Sequence, residues 1–267
     1  MASILECTDF VDGLFTLNDG QREMVDEDRA KALVEAGMAG RSPSSVTRVC
    51  LSNKSYSGEA AKVIAETLKT MENITEVDFS DMIAGRPEDV GLEVLEAICG
   101  GVADRDLLRV NLSDNAMGQK GIDACRLALE GKKSLQGLLM CNDGLSEAAM
   151  AAVRDILLTN ASGEPIALRT LHFFNNMSGD GGAKALAEVL PHCPCLEDLR
   201  FSGSRAGREG SATVVKALLL CPAVTSGLLV RLDLADNTFG VEGGQDLAKA
   251  LSEQSGLTYI NLRDCSL

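Results

Sequence analysis

Few residues in this 267-residue chain have the type and spacing that chemistry requires. The two histidines, His172 and His192, are too few for the common base or metal roles. His192 precedes Cys193-Pro-Cys195, the one cluster worth weighing as a metal site, but two further ligands at zinc spacing are missing. There is no Gly-x-x-x-x-Gly-Lys-Ser/Thr phosphate loop and no Gly-x-Ser-x-Gly elbow. Gly179-Asp-Gly-Gly182 and Gly240-Val-Glu-Gly-Gly244 recur at one phase, so they read as strand-to-helix turns rather than nucleotide cradles. The expectation is a chain with no autonomous active site, no metal and no cofactor of its own.

The elements that would position any polar group are repeated ones. Leu107-Leu-Arg-Val-Asn-Leu-Ser-Asp-Asn-Ala-Met-Gly118 places apolar residues at Leu107, Val110 and Leu112, then Asn115 three residues later. This is the L-x-x-L-x-L-x-x-N-x-L phrase of a leucine-rich repeat: a short strand, an asparagine and a turn into a helix. Registered on the second apolar strand position, the phrase recurs at Val49, Val77, Val110, Leu138, Leu171, Leu199, Leu232 and Ile260. The intervals alternate between 28 and 33 residues throughout.

Such intervals leave room for a helix on each return limb. Stretches 58–68, 121–129, 182–190 and 244–251 carry apolar residues at i, i+3 and i+4, which gives each one buried stripe. The spacing predicts an α/β leucine-rich repeat solenoid, a ribonuclease-inhibitor-like horseshoe with parallel strands on the concave face and helices on the convex face. Residues 1–43 lack the phrase; 26–37 read as an amphipathic helix ended by Gly37, and the segment as an N-terminal cap. Residues 44–267 form the repeat domain of about eight repeats, the last incomplete because Ile260–Leu267 stops after a strand.

Composition narrows the partners. A net charge of −14 and a pI near 4.6 argue against nucleic-acid or anionic-membrane surfaces and favour a protein partner. Hydrophobic residues make up 45% but aromatics only 3%, so the core must be aliphatic and small-residue. Nine cysteines without framework spacing read as reduced thiols of an intracellular protein. The first 15 residues lack the basic region of a signal peptide, and no run has the roughly 18 apolar residues of a membrane span.

Against this regular background the asparagines Asn115, Asn176 and Asn237 read as groups that satisfy the bend, while Ser204 and Cys265 interrupt that ladder. Two copies deviate more. In Val77-Asp-Phe-Ser-Asp-Met-Ile-Ala-Gly-Arg-Pro-Glu88, Met82 replaces the asparagine, and Gly85-Arg86-Pro87 opens a longer loop. In Leu138-Leu-Met-Cys-Asn-Asp-Gly144, Asp143 takes the ladder position and Asn142 precedes it, an offset that should point outward. On composition Arg86 is also compatible with a solvated charge, and Asn142 with an ordinary loop amide.

These stretches, with Asn111–Gly118, Met140–Glu147, Asn175–Asp180, Leu51–Ser55 and Asn237–Gly244, resemble the Ran GTPase-activating proteins, the plant and green-algal branch best. The similarity runs from about Glu27 to the end, and the Asp-x-x-x-Gly-Arg loop distinguishes it from other leucine-rich repeat families. The resemblance implies a regulator, not an enzyme in its own right, that binds the small GTPase Ran in its GTP form and accelerates hydrolysis. Asn142 matches the asparagine that holds Ran's catalytic glutamine, with no arginine finger. Arg86, Asp81, Asp114, Asp143, Asn175 and Asp236 are the partner-binding positions it implies. GTP and magnesium would belong to the partner, a Ran-binding protein could join the complex, and the chain would act as a monomer. The implied location is the cytoplasm, with peripheral attachment to the outer nuclear envelope left open. On residues alone an arginine finger at Arg86 stays a rival. So does a non-catalytic binding scaffold of ribonuclease-inhibitor or immune-receptor type, with anchors on the strand faces.

Overall fold

A computed structural model describes residues 13–252 and 254–267. Cys7 and the part of the expected cap before Gly13 lie outside the described residues. The chain divides into two compact units, Met1–Ser134 and Leu135–Leu267.

The first unit runs β1 (Leu14–Thr16), β2 (Met24–Val25), α1 (Glu27–Met38), β3 (Arg48–Cys50), β4 (Ser55–Tyr56), α2 (Gly58–Thr70), β5 (Glu76–Asp78), α3 (Glu88–Gly100), β6 (Arg109–Asn111) and α4 (Gly118–Cys125). Its main sheet is parallel in the order β1, β3, β5, β6, and β2 pairs with β4 in a small second sheet. The second unit runs β7 (Gly137–Leu139), α5 (Glu147–Ala161), β8 (Thr170–His172), α6 (Gly179–Val189), β9 (Asp198–Arg200), α7 (Arg208–Leu220), α8 (Pro222–Thr225), β10 (Arg231–Asp233), α9 (Gly240–Ser252) and β11 (Tyr259–Asn261). Here β7 to β11 pair in sequence order, all parallel.

All eight registered positions are the middle residues of three-residue strands, and they align across each ladder: Val49 with Val77 and Val110, and Leu138 with Leu171, Leu199, Leu232 and Ile260. Alternation along a strand turns these middle residues into the core and their neighbours to the other face. Seven of the eight are at most 1% exposed, whereas Ile260 on β11 is 45% exposed.

Helix boundaries follow local chemistry. Ser57 and Ser146 accept hydrogen bonds from Ala60 N–H and Ala149 N–H, which caps α2 and α5. Buried Ala60, Ala61, Ile64, Ala65 and Leu68 form the inner stripe of α2. The helix expected at 26–37 is α1, capped by Asp26 through Arg29 N–H, but Gly37 does not end it. A Cβ there would meet the Phe15 ring at 2.9 Å, so this glycine admits close contact between α1 and β1. Strand β1 itself was not legible in the repeat pattern, because the eight-copy register begins at Val49.

Cys99, Cys125, Cys141, Cys193, Cys195, Cys221 and Cys265 are free thiols. Burial pushes the Cys99 and Cys221 thiols up in pKa, which makes them apolar filling rather than nucleophiles. Among the described residues no helix is long and apolar enough to cross a membrane.

Candidate functional site

The residue four places after each registered strand position has a left-handed backbone in every copy: Asn53, Asp81, Asp114, Asn142, Asn175, Gly203, Asp236 and Asp264, with φ between 52° and 65°. Only asparagine, aspartate and glycine adopt that region at low cost, so one backbone requirement explains the residue types. The bend is fixed from repeat to repeat by main-chain bonds. Within the first unit Asp81 N–H donates to Ser113 O at 3.0 Å; in the second, Asn142, Asn175, Gly203 and Asp236 donate to Phe174, Ser202, Ala235 and Arg263 carbonyls at 2.9 Å.

One residue further on, the side chain turns inward. Asn176 donates to Met140 O and Phe173 O, and Asn237 to Phe201 O and Leu234 O, at 2.7 to 3.1 Å. Asn115 makes the same pair of bonds to Phe79 O and Leu112 O. Ser204 and Cys265, which interrupt the ladder in sequence, keep one of its bonds each, to Phe173 O at 3.4 Å and Leu234 O at 3.3 Å. Asp143 occupies this inward step and is fully buried. Its N–H donates to Asn176 Oδ1 at 3.1 Å. Its burial corrects its expected place among the partner-facing residues: five places after a registered position the side chain lies inside the bend.

In the first unit the step is acidic at Asp81 and Asp114, after the amide Asn53. Asp81 pairs with Arg22, and burial, together with the neighbouring Asp114, holds its carboxyl above the ordinary value against the pull of Arg22. Buried Asp78 is raised by desolvation and by Asp114, although its Oδ1 accepts from Ser80 Oγ (2.6 Å), Ser80 N–H (3.1 Å) and Asn111 Nδ2 (3.0 Å). Arg86 is half-buried. Its Nε donates to Ser55 Oγ at 3.0 Å, and its Nη2 to Ser55 O at 2.6 Å and Val25 O at 3.4 Å. The guanidinium therefore braces the loop that carries it against β2 and β4. Gly85, at φ 76°, provides the reversal before it.

Lys54 is a ladder-position residue that sequence reasoning passed over. Its side chain is fully buried, and Nζ donates to Asp19 Oδ1 (2.6 Å), Gln21 O (2.7 Å) and Glu23 Oε1 (2.8 Å). Burial opposes its charge, but the bonds to Asp19 and Glu23 outweigh that and hold its pKa above the ordinary value. The signal was available: a lysine stands five residues after Val49, where asparagine stands in the regular copies.

In the second unit the step begins with neutral amides. Asn175 Nδ2 donates to Asn142 Oδ1 at 2.7 Å, a surface bond between side chains of successive repeats. Asp236, further along, lies 3.5 Å from Arg263 and is exposed. The strand face also carries groups that the sequence reading did not single out. Arg200 pairs with Asp233 at 3.1 Å and covers the Phe174 ring at 4.0 Å; Arg231 lies 3.6 Å from Asp198 and 4.4 Å from the Tyr259 ring centre. Their signal was position, since they flank registered residues and must face away from the core. Among the described residues no three His, Cys, Asp or Glu side chains are grouped to hold a metal ion.

The class defined by parallel three-residue strands, return helices and an inward asparagine ladder is the leucine-rich repeat fold, and a leucine-rich repeat family model matches residues 228–248. A crystal structure of a Bacteroides fragilis protein superposes with a TM-score of 0.50 over 92% of this chain and 74% of its own, at 12% identity, which supports the fold alone. At the level of sequence, the chain has homologues named Ran GTPase-activating proteins. It is 41% identical to RAN GTPase-activating protein 1 of Arabidopsis thaliana over 130 residues, 48% of this chain and 24% of that protein. It is 29% identical to Ran GTPase-activating protein 1 of Saccharomyces cerevisiae over 232 residues, 83% of this chain and 56% of that protein. The chain thus spans about a quarter and about half of these relatives' lengths.

Proposed function

We propose that this chain is a GTPase-activating regulator that binds Ran in its GTP form and positions Ran's catalytic glutamine through Asn142. The observation that carries this reading is the surface amide pair of Asn142 and Asn175, in a chain whose homologues are named for activation of Ran. GTP hydrolysis needs an in-line water and stabilised charge on the transferring phosphoryl group. Holding one mobile glutamine turns a rarely populated geometry into the resting one, a positioning effect. A neutral amide does this with one or two hydrogen bonds and adds no charge beside the phosphates.

In this reading Arg86 acts through the interface. Its Nε and Nη2 atoms are committed to Ser55 and Val25, which favours bracing over insertion into a nucleotide site. Asp81, Asp114 and Asp236 offer carboxylates to basic groups of the partner, in keeping with a net charge of −14. The bond-breaking site, GTP and magnesium are the partner's, and this chain works as a cytoplasmic monomer, alone or beside a Ran-binding protein.

The test is phosphate release from Ran-GTP with substoichiometric amounts of this chain, and another small GTPase as control. Multiple turnovers of Ran alone are expected. Hydrolysis at the intrinsic rate would overturn the assignment.

A further inference from the structure

Two neighbouring strands of the second unit carry a crossed set of charges on the face turned away from the core. Strand β9 supplies Asp198 and Arg200, β10 supplies Arg231 and Asp233, and the parallel register sets Asp198 beside Arg231 and Arg200 beside Asp233. Arg200 Nε donates to Asp233 Oδ2 at 3.1 Å, and Arg231 Nε lies 3.6 Å from Asp198 Oδ2. Each guanidinium also covers a ring, Arg200 that of Phe174 and Arg231 that of Tyr259. Among the described residues these two rings are the only aromatic side chains that are not buried. A chain poor in aromatics thus places both of its accessible rings under arginines.

Stacking and one carboxylate hold each guanidinium but use little of its donor set, which is five N–H groups in a planar fork. Arg200 uses its Nε; among the described residues its Nη atoms have no hydrogen-bond partner, and they are not buried. The Arg231 side chain donates no hydrogen bond among the described residues and is 52% exposed. Asp198 and Asp233 already face these arginines, so the unmet capacity of the face is for acceptors. With strands about 4.8 Å apart and a rise of about 3.3 Å per residue, the two forks start about 8 Å apart. Two oriented guanidinium groups at that separation suit a pair of carboxylates, each taken by parallel N–H···O bonds.

We propose that Arg200 and Arg231 anchor Ran through carboxylates on its surface and so act as specificity residues. This rests on the activator reading above and adds to it a contact beside the amide pair. Phe174, beneath Arg200, precedes Asn175, and its carbonyl accepts the Asn142 N–H. A net charge of −14 attracts any basic protein at long range. The two forks make the opposite demand at contact range, which selects a partner with acidic groups facing the strands over one that is merely basic. Arginine with an aromatic ring is also the composition typical of interface hot spots.

Single-turnover hydrolysis of Ran-GTP, measured across concentrations of the full chain, separates half-saturation from maximal rate. Asp233→Asn serves as the background, because removing Arg200 alone would leave a buried carboxylate unpaired. That variant should keep half-saturation within about threefold. Arg200→Gln with Asp233→Asn should raise it about 30-fold, the hot-spot scale, with maximal rate within about twofold. Arg200→Glu with Asp233→Asn should raise it beyond about 100-fold, because carboxylate then meets carboxylate. Arg231→Gln, at the more exposed position, should raise it about fivefold. Arg169→Ala, which removes a charge paired with Glu197 just before β8, should change it less than about twofold.

If adding Arg200→Gln to Asp233→Asn leaves half-saturation unchanged, Arg200 serves only its own sheet and the proposal is overturned. It is also overturned if the glutamate variant binds no worse than the glutamine one, since the facing group is then neutral or basic. An equal loss in Arg169→Ala would reduce the effect to overall charge, and a loss confined to maximal rate would remove the anchoring role. Should the Arg200 variants not fold, unchanged half-saturation in Arg231→Gln overturns the proposal by itself. If the unmutated chain fails to accelerate Ran while remaining folded, the activator reading fails and this proposal falls with it. Acceleration with unchanged half-saturation in every arginine variant removes this proposal alone.

Discussion

Asp81 and Asp114 in the first unit stand at the same step as Asn142 and Asn175 in the second, four residues past a registered strand position, with φ between 52° and 65°. Both pairs satisfy one backbone demand, and their side chains do different things with it. The carboxylates repel each other: Asp114 contributes to the raised pKa of Asp81, which turns to Arg22. The amides complement each other, one donating and one accepting. A left-handed bend restricts the residue to asparagine, aspartate or glycine. The choice among those three is free of the fold, and there function can differ between repeats that are otherwise alike.

The largest test of that contrast is glycine at each step. Asn142→Gly should lower the maximal rate of Ran-GTP hydrolysis by roughly 10²- to 10³-fold, the usual loss for one preorganised donor. Asp81→Gly and Asp114→Gly should raise half-saturation and leave the maximal rate nearly intact. Single-turnover rates across a titration distinguish the two patterns, and equal losses of maximal rate at all three positions would break the comparison.

Arg86→Ala tests whether the first unit's arginine is a brace or a finger. It removes the donors to Ser55 Oγ and Ser55 O, while Val25 O keeps Ser57 N–H, at a cost of about 2–4 kcal/mol from bonds of roughly 1–3 kcal/mol each. The expected outcome is a lower urea midpoint together with weaker Ran-GTP binding. An unchanged midpoint with a rate loss of roughly 10³-fold or more would restore the arginine-finger model.

Lys54→Met should cost less, about 1–3 kcal/mol, because Asp19 and Glu23 are partly exposed and can recover water. Its pH dependence has a definite sign. The Lys54 hydrogen bond depresses the Asp19 carboxyl, and bonds from Arg29 and then Lys54 depress that of Glu23. Groups with lowered folded pKa values stabilise above their ordinary values of 3.8 and 4.5, and lose that contribution as pH falls through the folded values. Urea midpoints of the two proteins should therefore differ at pH 7 and converge as pH falls below about 4. A gap that does not narrow as pH falls would assign the loss to packing rather than to the ion cluster.

Much of this is legible in the amino-acid sequence. The eight registered residues emerged as strand centres because one inward position per repeat must be apolar, and a fixed period makes that visible. The first strand was missed because Leu14-Phe-Thr-Leu17 is followed by Asn18-Asp19-Gly20, which shifts the left-handed residue to Gly20 and blurs the phrase. Asn142 was singled out for its offset, yet that offset is shared by every copy; what distinguishes it is the bond to Asn175, a relation across 33 residues that no local pattern contains. Arg86 looked like a solvated or inserted charge because its acceptors are backbone carbonyls, which carry no sequence signature. Asp143 was assigned to the surface by resemblance, although the ladder register already placed it inside.

The smallest effect concerns two buried aspartates at another shared step, the residue after the strand centre. Asp78 has only neutral donors, Ser80 and Asn111, whereas Asp233 faces the Arg200 guanidinium at 3.1 Å. Burial raises the Asp78 pKa, so its ionisation costs folding stability at neutral pH, and that cost vanishes below the ordinary value of 3.8. Asp78→Asn keeps an oxygen for the same three donors and removes the charge. It should raise the thermal midpoint at pH 7 and give no gain near pH 3.5. Asp233→Asn removes half of an ion pair, and should lower the midpoint at pH 7 by the equivalent of about 1 kcal/mol. Opposite signs for one substitution at equivalent steps would show that the partner, rather than burial, decides whether a charge on the strand face is tolerated. A loss of stability in both would mean that Asp78 is held as tightly by its neutral donors as Asp233 is by arginine.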